Sequence, residues 1–376
     1  MKKYFVLSLF IVMMVFVFSA ISFSAEKITF AVVAGMTGDS AGQGIQIKNG
    51  ANLAVEEINK AGGVNGKQFE FIIGDDQENP NQGVIVAEKF SSNDNLLFVL
   101  GHDSSSTNMA TLPVWSRVNL PVISPTSTNP KVTKMGFKNF FRLIPHDGIM
   151  TSQLVNLAVN KLGYKNLAMI WENSAYGQGM HEVALEVIPG TDAKILGDES
   201  FVADVEKDYS SQITKFKGAG VDCVLFLGEY TACGLFLQQS KNLGFNAQVV
   251  GASGCSHPKL IEIGGESAEG FIVLSGFDPN DSRPAQAKFI KDFESNFGEK
   301  PGEWGAFSYD IPYVVKQAIE MGGDTREKLV EILHSSDFQY NGVTGLTKFD
   351  EYGDVTQKEY IYLEVADGKF KSKIIE

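Results

Sequence analysis

The sequence predicts an α/β protein built from two doubly wound lobes with parallel sheets. Two observations carry this. Short apolar runs bounded by Gly, Pro or Asp alternate with helical stretches along the whole chain, the pattern of strands joined by helical crossovers. The pattern also fills about 350 residues beyond the amino-terminal segment, more than one ordinary domain holds. No low-complexity linker separates the halves, so the chain is expected to cross between lobes more than once.

Taken in order, Ile28–Ala34 reads as a strand, Gly35-Met36-Thr37-Gly38-Asp39-Ser40-Ala41-Gly42 as a turn, and Ile45–Ala61 as a helix stopped by Gly62-Gly63. Phe69–Ile73 is the second strand, ending at Asp75-Asp76, and Pro80–Ser91 the next helix. Leu96–Leu100 leads into a helix over Ser104–Arg117, and Leu120–Ser124 closes at Pro125. A second lobe begins near Asp147. Its helices are Gln153–Leu162, Gly177–Val187, Asp208–Gly218 and Cys233–Leu243, with strands at Asn166–Trp171, Cys223–Leu227 and Gln248–Gly251. Pro284–Phe297 and Phe307–Met321 are later helices.

The first residues, Met1-Lys2-Lys3, precede an uncharged run from Tyr4 to Phe18 and then small residues: Ser19, Ala20, Ser22, Ser24 and Ala25. This is the layout of a cleaved secretory signal, and the run is short of the ~20 residues a membrane span requires. Cleavage is expected after Ser22, Ser24 or Ala25. No Cys lies nearby to carry a lipid, so a free periplasmic protein is expected. Net charge is −13, and the loss of Lys2 and Lys3 makes it −15 because residues 1–25 carry no acid. Such a chain is a poor partner for nucleic acid or anionic membranes. The five His are scattered and no zinc spacing occurs. Each lone His reads as structural or solvated. Of three cysteines, Cys223 lies in an apolar run and reads as core, while Cys233 and Cys255 follow strand-like runs and are expected to pair in an oxidising compartment.

Ligands of open α/β sheets bind beyond the carboxyl ends of the strands, where strand order reverses. Three post-strand loops therefore matter: Gly35–Gly44, His102–Thr107 and Pro125–Asn129. They bring glycines, Ser104-Ser105-Ser106-Thr107 at a helix start, and Thr126-Ser127-Thr128. Hydroxyls and free N–H groups at helix starts suit a carboxylate, although helix capping uses the same residue types. Gly42-Gln43-Gly44-Ile45-Gln46-Ile47 lacks the third glycine of a dinucleotide fingerprint, and neither a Walker loop nor a Gly-x-Ser-x-Gly elbow is present. Asp75-Asp76, followed by Glu78-Asn79-Pro80, reads as a solvated turn or helix cap rather than a metal or acid–base pair. No nucleophile–base pair, metal site or cofactor motif speaks for an enzyme.

The chain resembles the periplasmic Leu/Ile/Val-binding proteins, the type I solute-binding proteins of ABC transporters. The residues carrying the resemblance span the mature chain. They are Gly35-Met36-Thr37-Gly38, Gly50-Ala51 through Glu57-Ile58-Asn59, Ala61-Gly62-Gly63-Val64-Asn65-Gly66, Asp75-Asp76, Gly101-His102 before the Ser104–Thr107 run, and Ser124-Pro125. In the second half they are Tyr176-Gly177-Gln178-Gly179, Lys207-Asp208-Tyr209-Ser210 and Gly265-Glu266-Ser267-Ala268-Glu269-Gly270. The resemblance implies two lobes joined by three crossings, with a ligand cleft between them that closes by hinge motion. It implies a first lobe of 26–146 plus about 276–350 and a second of 147–275 plus about 351–376. It places Ser104, Ser105, Thr126 (mainly through its backbone) and Thr128 at the ligand's carboxylate and amino groups. It places Asp147 near an ammonium, Tyr176 and Tyr230 as aromatics closing from the second lobe, and Trp304 near a side-chain pocket.

This chain departs from the family pattern at informative positions. The acid that holds the ammonium is replaced by Ser253 in Gly251-Ala252-Ser253-Gly254, and Glu229 is the candidate substitute. Gln43 stands at an aromatic position of the first loop. Glu78 and Asp103 lie near a pair of cysteines found in some relatives. The expected ligand is thus an amino acid or another small carboxylate. The expected function is transport through an inner-membrane ABC permease by a monomer without cofactor or catalysis. A ligand sensor of the same fold is the alternative.

Overall fold

A computed structural model describes residues 26–38, 40–203 and 205–374; the signal segment expected over residues 1–25 lies outside them. Five parallel strands form the first sheet: β1 (Lys27–Ala34), β2 (Gln68–Asp75), β3 (Leu96–Gly101), β4 (Val122–Ser124) and β5 (Phe140–Arg142), in the order β2-β1-β3-β4-β5. The second sheet holds β6 (Asn166–Glu172), β7 (Lys194–Phe201), β8 (Cys223–Leu227), β9 (Gln248–Gly251), β10 (Ile272–Ser275), β13 (Ile361–Ala366) and β14 (Lys369–Ser372). Its order is β14-β13-β10-β9-β8-β6-β7, parallel from β7 to β10 and antiparallel at β13 and β14. A two-stranded hairpin, β11 (Tyr340–Gly342) with β12 (Gly345–Thr347), stands apart.

Both sheets therefore share one winding, in which the second strand of each lies outside the first and the third lies on its other side. Strand order reverses between β1 and β3 in one sheet and between β6 and β8 in the other. Those two points are where ligand loops belong.

Among the described residues twelve α-helices cover the sheets: α1 (Ala41–Lys60), α2 (Pro80–Ser91), α3 (Ser105–Arg117), α4 (Pro130–Lys134), α5 (Asp147–Asn156), α6 (Ala175–Val187), α7 (Ser210–Ala219), α8 (Tyr230–Asn242), α9 (Pro258–Gly264), α10 (Pro284–Phe297), α11 (Glu303–Glu320) and α12 (Arg326–Leu333). Several begin earlier than periodicity suggests. Helix α11 begins at Glu303 rather than Phe307, which puts Glu303 and Trp304 in its first turn. Helix α5 starts at Asp147 and runs into a π-turn over Leu157–Lys161. The strand Lys194–Phe201 has no counterpart in the sequence reading. It is the sheet edge, exposed or half-buried along most of its length, so it lacks an apolar run.

Helix α11 returns to the first sheet and lies on α1. A β-carbon on Gly50 would stand 2.1 Å from the Gly305 carbonyl oxygen, so only glycine lets the two backbones approach. Glu57 of α1 accepts hydrogen bonds from Tyr309 (2.5 Å) and Tyr313 (2.8 Å) of α11. At the end of β5 the chain is clamped by Arg142, which is fully buried. Its guanidinium donates to Asp354 at 2.5 Å, to the Ser127 and Asn129 carbonyls at 3.0 Å each, and to Thr133 at 2.9 Å. Tyr360 ties the last passage to the first by donating to the Pro145 carbonyl at 2.7 Å.

The expected Cys233–Cys255 disulfide is absent, and all three cysteines are buried free thiols. Cys255 donates its S–H to the Gly228 carbonyl at 3.2 Å. Its thiol is held well above the ordinary range by burial and by a hydrogen bond with Cys233, and both residues lie in the second-lobe core. Asp76 also departs from expectation. It is not solvated: it has no exposure and meets His102 Nδ1 at 2.5 Å. Trp115 donates its indole N–H to His102 Nε2 at 3.3 Å, which fixes the proton on Nδ1. Asp75 does behave as a turn residue, accepting from Met36 N–H at 2.9 Å and Thr37 Oγ at 2.6 Å.

Candidate ligand-binding cleft

Five strand-end loops at and beside the two switch points face one another. From the first sheet come the β1–α1 loop, the β2–α2 loop with Glu78, and the β3–α3 loop with Asp103 and Ser104. From the second come the β6–α6 loop with Glu172 and Ser174, and the β8–α8 loop with Glu229. The inner pocket they enclose holds about 30 Å³ and is walled also by Gln43, Ser105, Thr126, Tyr176, Ser253, Gly254, Glu303 and Trp304. It opens, through shared walls at Gln43, Glu78, Ser104, Glu172, Ser174 and Glu229, into an outer chamber of about 290 Å³ that Tyr230 and Lys207 border.

Bonds across the cleft hold the lobes together. Gln43 Nε2 donates to Glu229 at 2.5 Å, Ala175 N–H to Ser106 Oγ at 3.0 Å, and Asn129 Nδ2 to the Ala175 carbonyl at 2.5 Å. Tyr176 reaches in from α6, and its hydroxyl accepts the Gly254 N–H at 3.1 Å.

Of the sequence-predicted residues, Gln43, Ser104, Ser105, Thr126, Tyr176, Glu229, Ser253 and Trp304 wall the inner pocket, and Tyr230 borders the outer chamber. Ser104 precedes α3 without capping it through its side chain, which leaves its hydroxyl uncommitted beside the free N–H groups of the first turn. Ser105 is otherwise engaged: its Oγ accepts from Asn129 N–H at 3.2 Å and from Ser127 at 3.3 Å. The Thr126 hydroxyl is buried without a partner. Tyr230 is packed in the core, its ring 4.5 Å from His257, and Trp304 stands edge-on to the same imidazole. Thr128 and Asp147 do not wall the pocket. Both are fully buried behind it, where α5 begins, and neither Asp147 oxygen has a hydrogen-bond partner. Burial pushes the Asp147 carboxyl up to about 7, with the nearby Thr128 hydroxyl and Arg142 opposing.

Sequence reasoning missed the wall residues Glu172, Ser174 and Glu303, and named Glu78 and Asp103 only in a turn and near the cysteine positions of some relatives. Glu303, at the start of α11, accepts Gly276 N–H at 2.7 Å, and its carboxyl sits against the Ser253 hydroxyl. Burial raises it to about 7. Asp103 is also raised to about 7, by burial and then by Asp76, and its Oδ2 is unpartnered while Oδ1 accepts Ser104 N–H at 3.1 Å. Glu78 follows Gln77, and both take left-handed backbone conformations (φ 52° and 54°), a strained turn of the kind found where a side chain is aimed at a site. Burial, then the charge of Asp103, holds the Glu78 carboxyl well above the usual range. Burial, then the charge of Glu78, does the same to Glu229. The Glu229 carboxylate lies against Gly254, where a β-carbon would be 2.8 Å from its oxygens.

Residues 27–369 match the family of periplasmic binding proteins. A leucine-, isoleucine-, valine-, threonine- and alanine-binding protein of Pseudomonas aeruginosa is 31% identical over 359 residues, covering 95% of this chain and 94% of that one. A Leu/Ile/Val-binding protein homolog of Brucella abortus is 31% identical over 341 residues, covering 89% and 90%. Among solved structures, a leucine-binding protein of Thermotoga maritima superposes with a TM-score of 0.85 at 26% identity, covering 93% of this chain and 98% of that one. The substrate-binding protein of a branched-chain amino acid transporter from Streptococcus pneumoniae, in complex with isoleucine, gives 0.86 at 25% identity, covering 92% and 98%. The paired lobes, the shared winding and a match over nearly the whole chain lead to one statement: this protein belongs to the periplasmic binding protein family.

Proposed function

We propose that the protein captures an amino acid in the periplasm, after cleavage of a signal within residues 1–25, and delivers it to an inner-membrane ABC permease. The observation that carries this reading is the cleft itself. It joins the switch points of two sheets, and its polar walls include an uncommitted hydroxyl at a helix start for a carboxylate (Ser104) and buried acids for an ammonium (Asp103, Glu229 and Glu303). Relatives of near-equal length bind amino acids by name. On this reading the lobes are 26–146 with about 276–350, and 147–275 with about 351–376. Tyr176 and Tyr230 close over the ligand, and no chemistry follows binding. Native mass spectrometry of the protein isolated from its periplasm is the test. One small molecule carrying an amino and a carboxyl group should travel with it and be released unchanged on denaturation. A product of ligand turnover, or a ligand with neither group, would overturn the reading.

A further inference from the structure

Resting on the reading as a solute receptor, we infer that the cleft selects a ligand with two cationic nitrogens, as in a basic amino acid or a diamine, rather than an aliphatic one. Three observations support this. First, Glu78, Asp103, Glu172, Glu229 and Glu303 all wall the inner pocket, and no Lys, Arg or His does. Second, no Leu, Ile, Val, Met or Phe lines either the pocket or the outer chamber, so the apolar wall is confined to Trp304, tyrosines, Pro80, Ala203 and Ala232. Third, Asp103 walls the pocket at only 6% exposure, its Oδ2 is buried without a partner, and its other oxygen is fixed by Ser104 N–H.

The physical argument is one of compensation. Carboxyl groups crowded in a closed space lose solvent and repel one another, as the upward shifts of Glu78 and Glu229 reflect. For Glu78 and Glu229 a neutral ligand leaves that cost in place, while a cation removes it by pairing. The acids fall into two sets. Asp103 and Glu303 wall the inner pocket alone, whereas Glu78, Glu172 and Glu229 stand at its junction with the chamber. Two sets suit two nitrogens separated by a short chain. Among the described residues no three His, Cys, Asp or Glu converge on a metal-binding point, which favours an extended organic cation over a metal ion. Trp304 and Tyr176 add aromatic surface beside the acids, which suits alkylammonium and guanidinium groups.

Calorimetry on the ligand-stripped, refolded mature protein tests this with L-arginine, L-lysine, putrescine, L-leucine and acetamide. Arginine or lysine should bind at least a hundredfold more tightly than leucine. Tight putrescine binding with weak amino acids would keep two cationic nitrogens and discard the carboxylate. Glu78→Gln and Glu229→Gln should each lower affinity for the cationic ligand tenfold or more. Unchanged thermal melts separate this from misfolding, and any variant that melts early is replaced by Asp103→Asn. Leucine or acetamide binding as tightly as arginine would overturn the inference and leave the receptor reading intact. No binding by any probe would overturn it too, and mass spectrometry of the copurifying ligand then judges the receptor reading separately.

Discussion

Asp147 shows what a single buried acid costs. Its folded-state pKa of about 7 lies above the ordinary value of 3.8. Between roughly pH 4 and 7 the native protein holds a proton that the unfolded chain has released. The stability it contributes is therefore present below that window and lost as pH rises through it. Asp103 and Glu303, also at about 7, act in the same direction. The ligand-free protein should melt higher at pH 5 than these groups would allow at pH 8. Asp147→Asn should gain on the wild type as pH rises, by on the order of 2–4 kcal/mol across the window. Paired thermal melts across that range check it; a difference independent of pH would contradict the burial account. The legibility of the cleft residues followed their position. Ser104, Thr126 and Glu229 could be found because they sit in loops after apolar strands. Glu303 could not, because the helix that carries it was placed only from Phe307 onward, which left this acid outside any recognised element. Glu172 was hidden at the end of a strand, and Glu78 in a turn that looked solvated, since the pairing of Asp76 with His102 depends on a contact 26 residues away.

At the scale of elements, the sequence disclosed most strands and helices but not their edges. Apolar runs marked β1, β3, β6 and β8, while β7 carries its contacts on an exposed rim and has no such run. Helix starts were placed late in α8 and α11, where Tyr230, Glu303 and Trp304 of the first turns line the cleft. The contact of α1 with α11 was also unreadable, since nothing in periodicity links Gly50 to Gly305. It makes a sharp prediction. Gly50→Ala places a methyl 2.1 Å from the Gly305 carbonyl oxygen, and the backbones must separate. A loss of about 1–3 kcal/mol in urea unfolding is expected. Gly218→Ala is the counterpart: it lies within α7 with open space around its β-carbon position. It should be neutral or add about 0.5–1 kcal/mol. Equal effects at the two glycines would refute the close-approach argument.

For the whole molecule, two sheets of the same winding face one another at their switch points, and the chain passes between them under the clamp of Arg142 and Tyr360. The bonds that join the lobes include Gln43 to Glu229, Ser106 and Asn129 to Ala175, Glu303 to Ser253 and Lys131 to Glu182. Such a contact set is small enough to open by hinge motion, while the clamped passages keep both lobes in register. Closure then removes water from around the ligand and strengthens every polar contact within. The most direct test is small-angle X-ray scattering of the stripped protein with and without a saturating amount of the tightest ligand from the calorimetric panel. A ligand trapped between two lobes should reduce the radius of gyration, and the reduction should disappear when Gln43→Ala and Glu229→Ala together weaken binding below saturation. Superimposable curves for the empty and saturated wild type would contradict the account.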